Sequence, residues 1–146
     1  MITIVVESKK YNCVVDLHQK VTVISGDSGI GKTMFAKSIA DDSHAYKISV
    51  NNCDYELYVI NANWKEIISY GIEHKRKSIY IIDDCDFVIT REFNELILKD
   101  KYSYYIIITR FGSRLRLIFK DLLCDECIFK KDGINHTIIR YTKDKE

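Results

Sequence analysis

Gly26-Asp27-Ser28-Gly29-Ile30-Gly31-Lys32-Thr33 is the stretch from which the rest of the chain is read. It fits the spacing G-x-x-x-x-G-K-[ST] at every fixed position. A chain wrapped round a β- and a γ-phosphate turns its backbone N–H groups inward, and side chains at Gly26, Gly29 and Gly31 would obstruct that turn. Lys32 adds a mobile positive charge. The helix that begins there offers unpaired N–H groups and a positive dipole end to the same anion. Asp27, Ser28, Ile30 and Met34 complete the set of residues expected to line the bound phosphates.

The flanks carry the pattern that such a loop requires. Val21 to Ser25 is a short β-branched run, and from Lys32 to Ala40 the residues Phe35, Ala36, Ile39 and Ala40 fall on one helical face. The competing reading is a chance glycine-rich turn between a strand and a helix.

A chain of 146 residues with hydrophobic content of 47% is sized for one globular domain, here read as residues 1–146. At that size about 68–70% of the unfolded surface can be buried, so no disulfide or metal staple is required. A net charge of +1 gives no global basic field. A nucleic-acid partner would therefore need a local patch. Five cysteines, at 13, 53, 85, 124 and 127, form an odd, scattered set that points to a reducing cytoplasm rather than a secreted framework. Cys124-Asp-Glu-Cys127 has metal-knuckle spacing, but no second Cys or His pair lies nearby, and incidental thiols are the preferred reading. No leader or membrane span is read in the sequence. The absence of proline and the abundance of Ile, Lys, Asn and Tyr suggest an AT-rich source such as a virus or mobile element.

Ahead of the loop, Ile2 to Val6 and Tyr11 to Leu17 read as strands round the polar turn Ser8-Lys9-Lys10. After it, Tyr46 to Val50 and Tyr55 to Ile60 flank Asn51-Asn52-Cys53-Asp54 and predict a hairpin or an edge pair. Asn63, three residues before Glu66, predicts a capped helix start, and Trp64, Ile67, Ile68 and Ile72 form its apolar stripe. Trp64 is read as core rather than as a base-stacking platform. His74-Lys75-Arg76-Lys77 closes that helix with positive charge, either as a solvated terminus or as a nucleic-acid contact.

Ser78-Ile-Tyr-Ile-Ile82 is a continuous apolar run, as in a strand buried on both faces of a parallel sheet, and it ends in Asp83-Asp84. Phe93, Leu96 and Ile97 mark a helix from about Ile89 to Leu98. Tyr104 to Thr109 is a second continuous apolar strand, followed directly by Arg110. A turn at Lys131-Asp132-Gly133 separates two further strands, Glu126 to Lys130 and Ile134 to Tyr141. A charged tail from Thr142 to Glu146 is expected to fray.

Taken in order, GDSGIGKT, IYIIDD and IIITR resemble the Walker A, Walker B and sensor elements of the P-loop NTPase superfamily. They are most similar to its additional-strand division, which includes the AAA, STAND, ABC and RecA-like groups. The strand pair ahead of the loop also resembles the front of ABC-type and SMC-type ATPases, although a hairpin covering a sheet edge reads equally well. The resemblance implies an α/β fold of three layers with a mainly parallel central sheet and added antiparallel hairpins. It places the strand ending in Thr109 between the loop strand and the strand ending in Asp83. It further implies ATP, or GTP, with Mg²⁺ as cofactors. Lys32 would then serve the β- and γ-phosphates, Thr33 and Asp83 the metal, Asp84 the attacking water, and Thr109 or Arg110 the γ-phosphate. Asp84 stands where the division commonly has Glu, and its shorter arm implies slow turnover.

No ABC signature sequence lies between the loop and Asp83, and no AAA helical lid is visible after Arg110. The basic stretch with Arg110, Arg114, Arg116 and Lys120 could neutralise transition-state charge, contact nucleic acid or a protein, or be a solvated face. Two functional readings stay open. One is Mg²⁺-dependent NTP hydrolysis, slow or stimulated by a partner. The other is a nucleotide-binding regulatory or interaction module without turnover, acting on a protein or nucleic acid. A small kinase fits the paired acids less well. A protein ranks ahead of nucleic acid as partner, oligomers are allowed, and the membrane is excluded from the expected partners.

Overall fold

Runs of Ile, Val and Tyr with no polar member cannot form a half-exposed sheet, and the sheet they form is covered on both sides. The computed structural model describes residues 1–25, 32–41, 45–60, 63–83, 90–109 and 124–140. In chain order these form β1 (Ile2–Glu7), β2 (Asn12–Leu17), β3 (Val21–Ser25), α1 (Lys32–Ala40), β4 (Lys47–Val50) and β5 (Glu56–Ile60). They continue with α2 (Trp64–Glu73), β6 (Ser78–Asp83), α3 (Arg91–Lys99), β7 (Tyr104–Ile108), β8 (Cys124–Asp132) and β9 (Asn135–Arg140).

The strands make one nine-stranded sheet in the order β4-β1-β2-β9-β8-β3-β7-β6-β5. The five strands β8, β3, β7, β6 and β5 are mutually parallel. β8 and β9 form an antiparallel hairpin, closed at Gly133, whose φ of 61° suits a residue without a Cβ. β9 lies parallel to β2 and so joins the parallel sheet to the β2-β1-β4 meander.

The two faces carry separate cores. Toward α1 point Ile24, Ile79, Ile81, Ile106 and Ile108, packed with Phe35 and Ala36. Toward α2 and α3 point Val21, Val23, Tyr80, Ile82, Tyr105 and Ile107, packed with Ile68, Phe93 and Ile97. Helix, sheet and helices give the three layers that the resemblance implies, with a sheet mainly parallel in its pairings. Trp64 is half-buried and packs against the second core, its ring edge-on to Phe93 at 5.2 Å between centroids, in keeping with its place in the α2 stripe.

The expected pairing of the segments on either side of Asn51-Asn52-Cys53-Asp54 is overturned. β4 pairs with β1 at one edge of the sheet and β5 with β6 at the other. The turn chemistry is real, since Asn52 Oδ1 accepts from the Asp54 N–H at 3.0 Å and Asn51 exchanges hydrogen bonds with Thr3. It specifies that the chain bends, however, and not that the flanking strands pair with each other.

A consequence for the whole shape follows from simple lengths. Nine flat strands about 4.8 Å apart would hold the edge strands about 38 Å from each other. The chain from Val50 to Glu56 spans at most about 21 Å. The sheet therefore curls, and its concave side holds α1: Ile2, Ile4 and Val6 of β1 share one core with Phe35 and with the parallel strands. The leading hairpin is thus an extension of the sheet over α1, with its inward residues alternating along β1 and β2.

Two local expectations also change. Asn63 is the residue before α2, but its side chain makes no cap hydrogen bond, so the capping box with Glu66 does not form. Ala40, expected on the apolar face of α1, is exposed at its last turn, while Ser38 is fully buried and returns its hydroxyl to the Phe35 carbonyl oxygen at 2.7 Å. A cap not foreseen lies at α3, where Thr90 Oγ1 accepts from the Phe93 N–H at 3.2 Å.

Candidate nucleotide site at the carboxyl edge of the parallel strands

Because β3, β7 and β6 are parallel neighbours, their carboxyl ends fall on one edge of the sheet. The register makes this concrete. Ile24 of β3 and Asp83 of β6 both stand opposite Ile108 of β7. At the usual strand spacing their Cα atoms are about 10 Å apart. Thr109 follows β7 directly, is buried at 5% exposure, and donates its backbone N–H to the Ile24 carbonyl oxygen at 3.0 Å. Asp83 is half-buried at the end of an otherwise fully buried strand.

On the same edge β3 ends at Ser25, and α1 begins at Lys32. The first turn of α1 contains no acidic residue, so no carboxylate of its own first turn competes for its N–H groups. Met34, in that turn, is 41% exposed, an unusual degree for a large apolar side chain so near a core. Tyr46 reaches it from the approach to β4, with Oη 3.6 Å from Met34 Sδ. Nothing in the sequence signalled this contact, because it joins residues on separate elements across a loop.

Of the residues expected to act, the structure thus brings together the ends of β3, β7 and β6, with Asp83 and Thr109, and the start of α1. For Lys32 and Thr33 the backbone alone is described. Gly26, Asp27, Ser28, Gly29, Ile30 and Gly31 lie outside the described residues, as do Asp84, Arg110, Arg114, Arg116 and Lys120. The donor set suits the implied cation: a threonine hydroxyl and an aspartate carboxylate are hard oxygen ligands of the kind Mg²⁺ takes alongside water and phosphate.

Among the described residues Cys13, Cys53 and Cys127 form no disulfide, and no group of three or more His, Cys, Asp or Glu gathers to hold a metal ion. Among these same residues no helix is long and apolar enough to cross a membrane.

A strand inserted between the strand feeding the glycine-rich loop and the strand ending in an acid defines a class: the P-loop NTPase core of the additional-strand division. The family model described as "ATPase family associated with various cellular activities (AAA)" matches residues 22–102, more than half of the chain. The chain belongs to the AAA family, whose members are nucleotide-binding ATPases. A comparison with curated proteins found no match. The matched span runs from β3 through α3 and stops short of β7.

Proposed function

We propose that this protein binds ATP together with Mg²⁺ and hydrolyses it, slowly alone or faster with a partner. The observation that carries the reading is the row Ile24, Ile108 and Asp83 across three neighbouring strands, which sets one acid and one buried threonine beside the start of α1.

In this reading Lys32 and the N–H groups at the start of α1 hold the β- and γ-phosphates. Thr33 and Asp83 would hold Mg²⁺, which when bound neutralises charge on the phosphate oxygens. Asp84 orients the attacking water, and Thr109 or Arg110 reports on the γ-phosphate. Catalysis is by positioning and charge stabilisation, with no covalent intermediate on the protein. The aspartate at 84 has a shorter reach than a glutamate would have, which accounts for a low basal rate and leaves room for stimulation by a partner, a protein ranking first.

The test is steady-state phosphate release by the purified protein with ATP and Mg²⁺, compared with Asp84→Asn. Turnover lost in Asp84→Asn supports hydrolysis. Tight ATP binding with no phosphate release in either protein would assign the chain to regulation by nucleotide occupancy instead.

A further inference from the structure

The edge of the sheet opposite Asp83 and Thr109 is built differently, and it includes the basic run His74 to Lys77 that the nucleotide site leaves unused. A line of rings leads from the core out to this edge. Tyr105 and Tyr80 lie 5.2 Å apart between centroids, and Tyr80 and Tyr58 lie 5.9 Å apart. The Arg76 guanidinium is seated over Tyr58 at 5.3 Å and over Tyr70 at 4.7 Å, with Nη1 donating to Tyr58 Oη at 2.7 Å. Tyr70, 51% exposed, stacks on His74 at 3.9 Å and 26° between planes. The last ring, His74, is exposed.

The backbone holds this arrangement in place. α2 ends in a Schellman turn, in which the Arg76 N–H donates to the Gly71 carbonyl oxygen at 2.8 Å and the Lys75 N–H to that of Ile72 at 3.2 Å. Lys75 takes the left-handed conformation there, with φ 52°, which turns Arg76 back toward the helix. An exposed stack that is already ordered loses little entropy when another flat ring is added to it.

Charge gathers on the same edge. Ser103 Oγ donates to the Arg76 carbonyl oxygen at 3.1 Å and accepts from the Ser78 N–H at 3.1 Å, joining the loop before β7 to the loop before β6. Lys75 and Lys77 on one loop and Lys99 and Lys101 by the other are all exposed. Among the acids nearby, Asp100 is buried and spends its carboxylate on Tyr102, Ser103 and Tyr105, and Asp54 lies 4.0 Å from Lys77. Glu56, which accepts from Tyr58 Oη and donates its N–H to the Lys77 carbonyl oxygen, and Glu73, exposed at the end of α2, are acids that oppose the four lysines on this edge.

We infer that this edge binds single-stranded nucleic acid, an unpaired base stacking on the Tyr70–His74 pair while Lys75, Lys77, Lys99 and Lys101 take the flanking phosphates. A chain of net charge +1 needs such a local patch to hold a polyanion. A duplex hides its base faces, so an open ring face selects for unpaired strands. The surface lies at the amino ends of β6 and β7, away from Asp83, and the inference does not depend on ATP turnover.

The test is fluorescence anisotropy of a labelled single-stranded DNA of about 20 nucleotides at low salt, with duplex, heparin and an acidic peptide as competitors. Expected are binding that weakens with added salt, duplex at least about tenfold weaker, and a loss of about tenfold or more in Tyr70→Ala/His74→Ala, one stacked base being worth roughly that factor. Lys75→Glu/Lys101→Glu should also weaken binding and flatten its salt dependence. All four positions are exposed, and circular dichroism checks that the fold is kept. No binding by the intact protein overturns the inference. So does binding that ignores loss of the two rings, or an acidic peptide or duplex that competes as well as the single strand.

Discussion

The Thr109 backbone N–H donates to the Ile24 carbonyl oxygen at 3.0 Å, tying the exit of β7 to the end of β3. That hydrogen bond uses only the main chain, so the side chain at position 109 can be changed without releasing it. With Thr109 at 5% exposure, valine is the substitution that keeps the shape and removes the hydroxyl. Thr109→Val is expected to lower turnover by roughly 10- to 100-fold while ATP affinity changes by no more than about threefold. Measuring Kd and kcat separately decides this, and equal kcat in both proteins would remove Thr109 from the reaction.

Asp100 organises the opposite edge. Its Oδ1 accepts from the Tyr102 and Ser103 N–H groups, its Oδ2 from Tyr105 Oη at 2.6 Å, and Lys20 Nζ donates to its carbonyl oxygen. With the residue at 1% exposure, Asp100→Ala leaves buried donors unpaired and should cost about 2–4 kcal/mol in urea unfolding. Asp100→Asn retains an acceptor and should cost less. A smaller loss in the alanine variant than in the asparagine variant would contradict this account.

At Gly71 α2 packs tightly on the sheet, so that a methyl group there would overlap Tyr80 Oη. The Tyr80 ring is 1% exposed and lies between Tyr58 and Tyr105, so it cannot swing aside. Gly71→Ala should therefore destabilise by about 1–3 kcal/mol, despite a gain of about 1 kcal/mol in helix propensity. A melting temperature equal to or above that of the parent would show that the sheet yields there.

Much of this could be read in the residues, and what could not has physical causes. The strands with continuous apolar runs, at 78–82 and 104–108, and the helix stripes apart from Ala40 fell where periodicity placed them, because burial on both faces of a parallel sheet leaves little freedom. The pairing of Lys47–Val50 and Glu56–Ile60 was not legible. An Asn-rich turn encodes a local bend, whereas the partner of an edge strand is set by a curled sheet assembled from both ends of the chain. The Asp100 cluster was equally hidden, since a single aspartate after a helix gives no sign that a tyrosine five residues later will bury its hydroxyl against it. At the site, motif order gave the relation of Asp83 to Thr109. The Tyr46–Met34 contact left no trace in spacing.

Stability should fall at alkaline pH. Burial pushes the Cys13 thiol up to about 12 from its ordinary 9.0, and burial also raises the Tyr11 and Tyr105 phenols above their usual 10.0. The fold thus favours the protonated forms, so their contribution is complete below about pH 9 and is lost as the unfolded chain releases protons first. Cys13 governs pH 9 to 10 at up to about 1.4 kcal/mol per pH unit, and the tyrosines add above that. Lys20, lowered by burial, acts in the opposite sense. Urea unfolding at pH 8, 9 and 10 should show the decline, with a flatter profile in Cys13→Ala. A flat profile in the parent protein would contradict the buried thiol.

The most direct measurement is thermal unfolding with and without ATP and Mg²⁺, in the parent protein, Lys32→Ala and Asp83→Asn. A ligand held only by the native state raises the melting temperature by mass action. The account predicts a clear rise for the parent with ATP and Mg²⁺ together, little or none for Lys32→Ala, and loss of the Mg²⁺-dependent part for Asp83→Asn. No rise in the parent, or the same rise in all three proteins, would contradict a nucleotide site at this edge of the sheet.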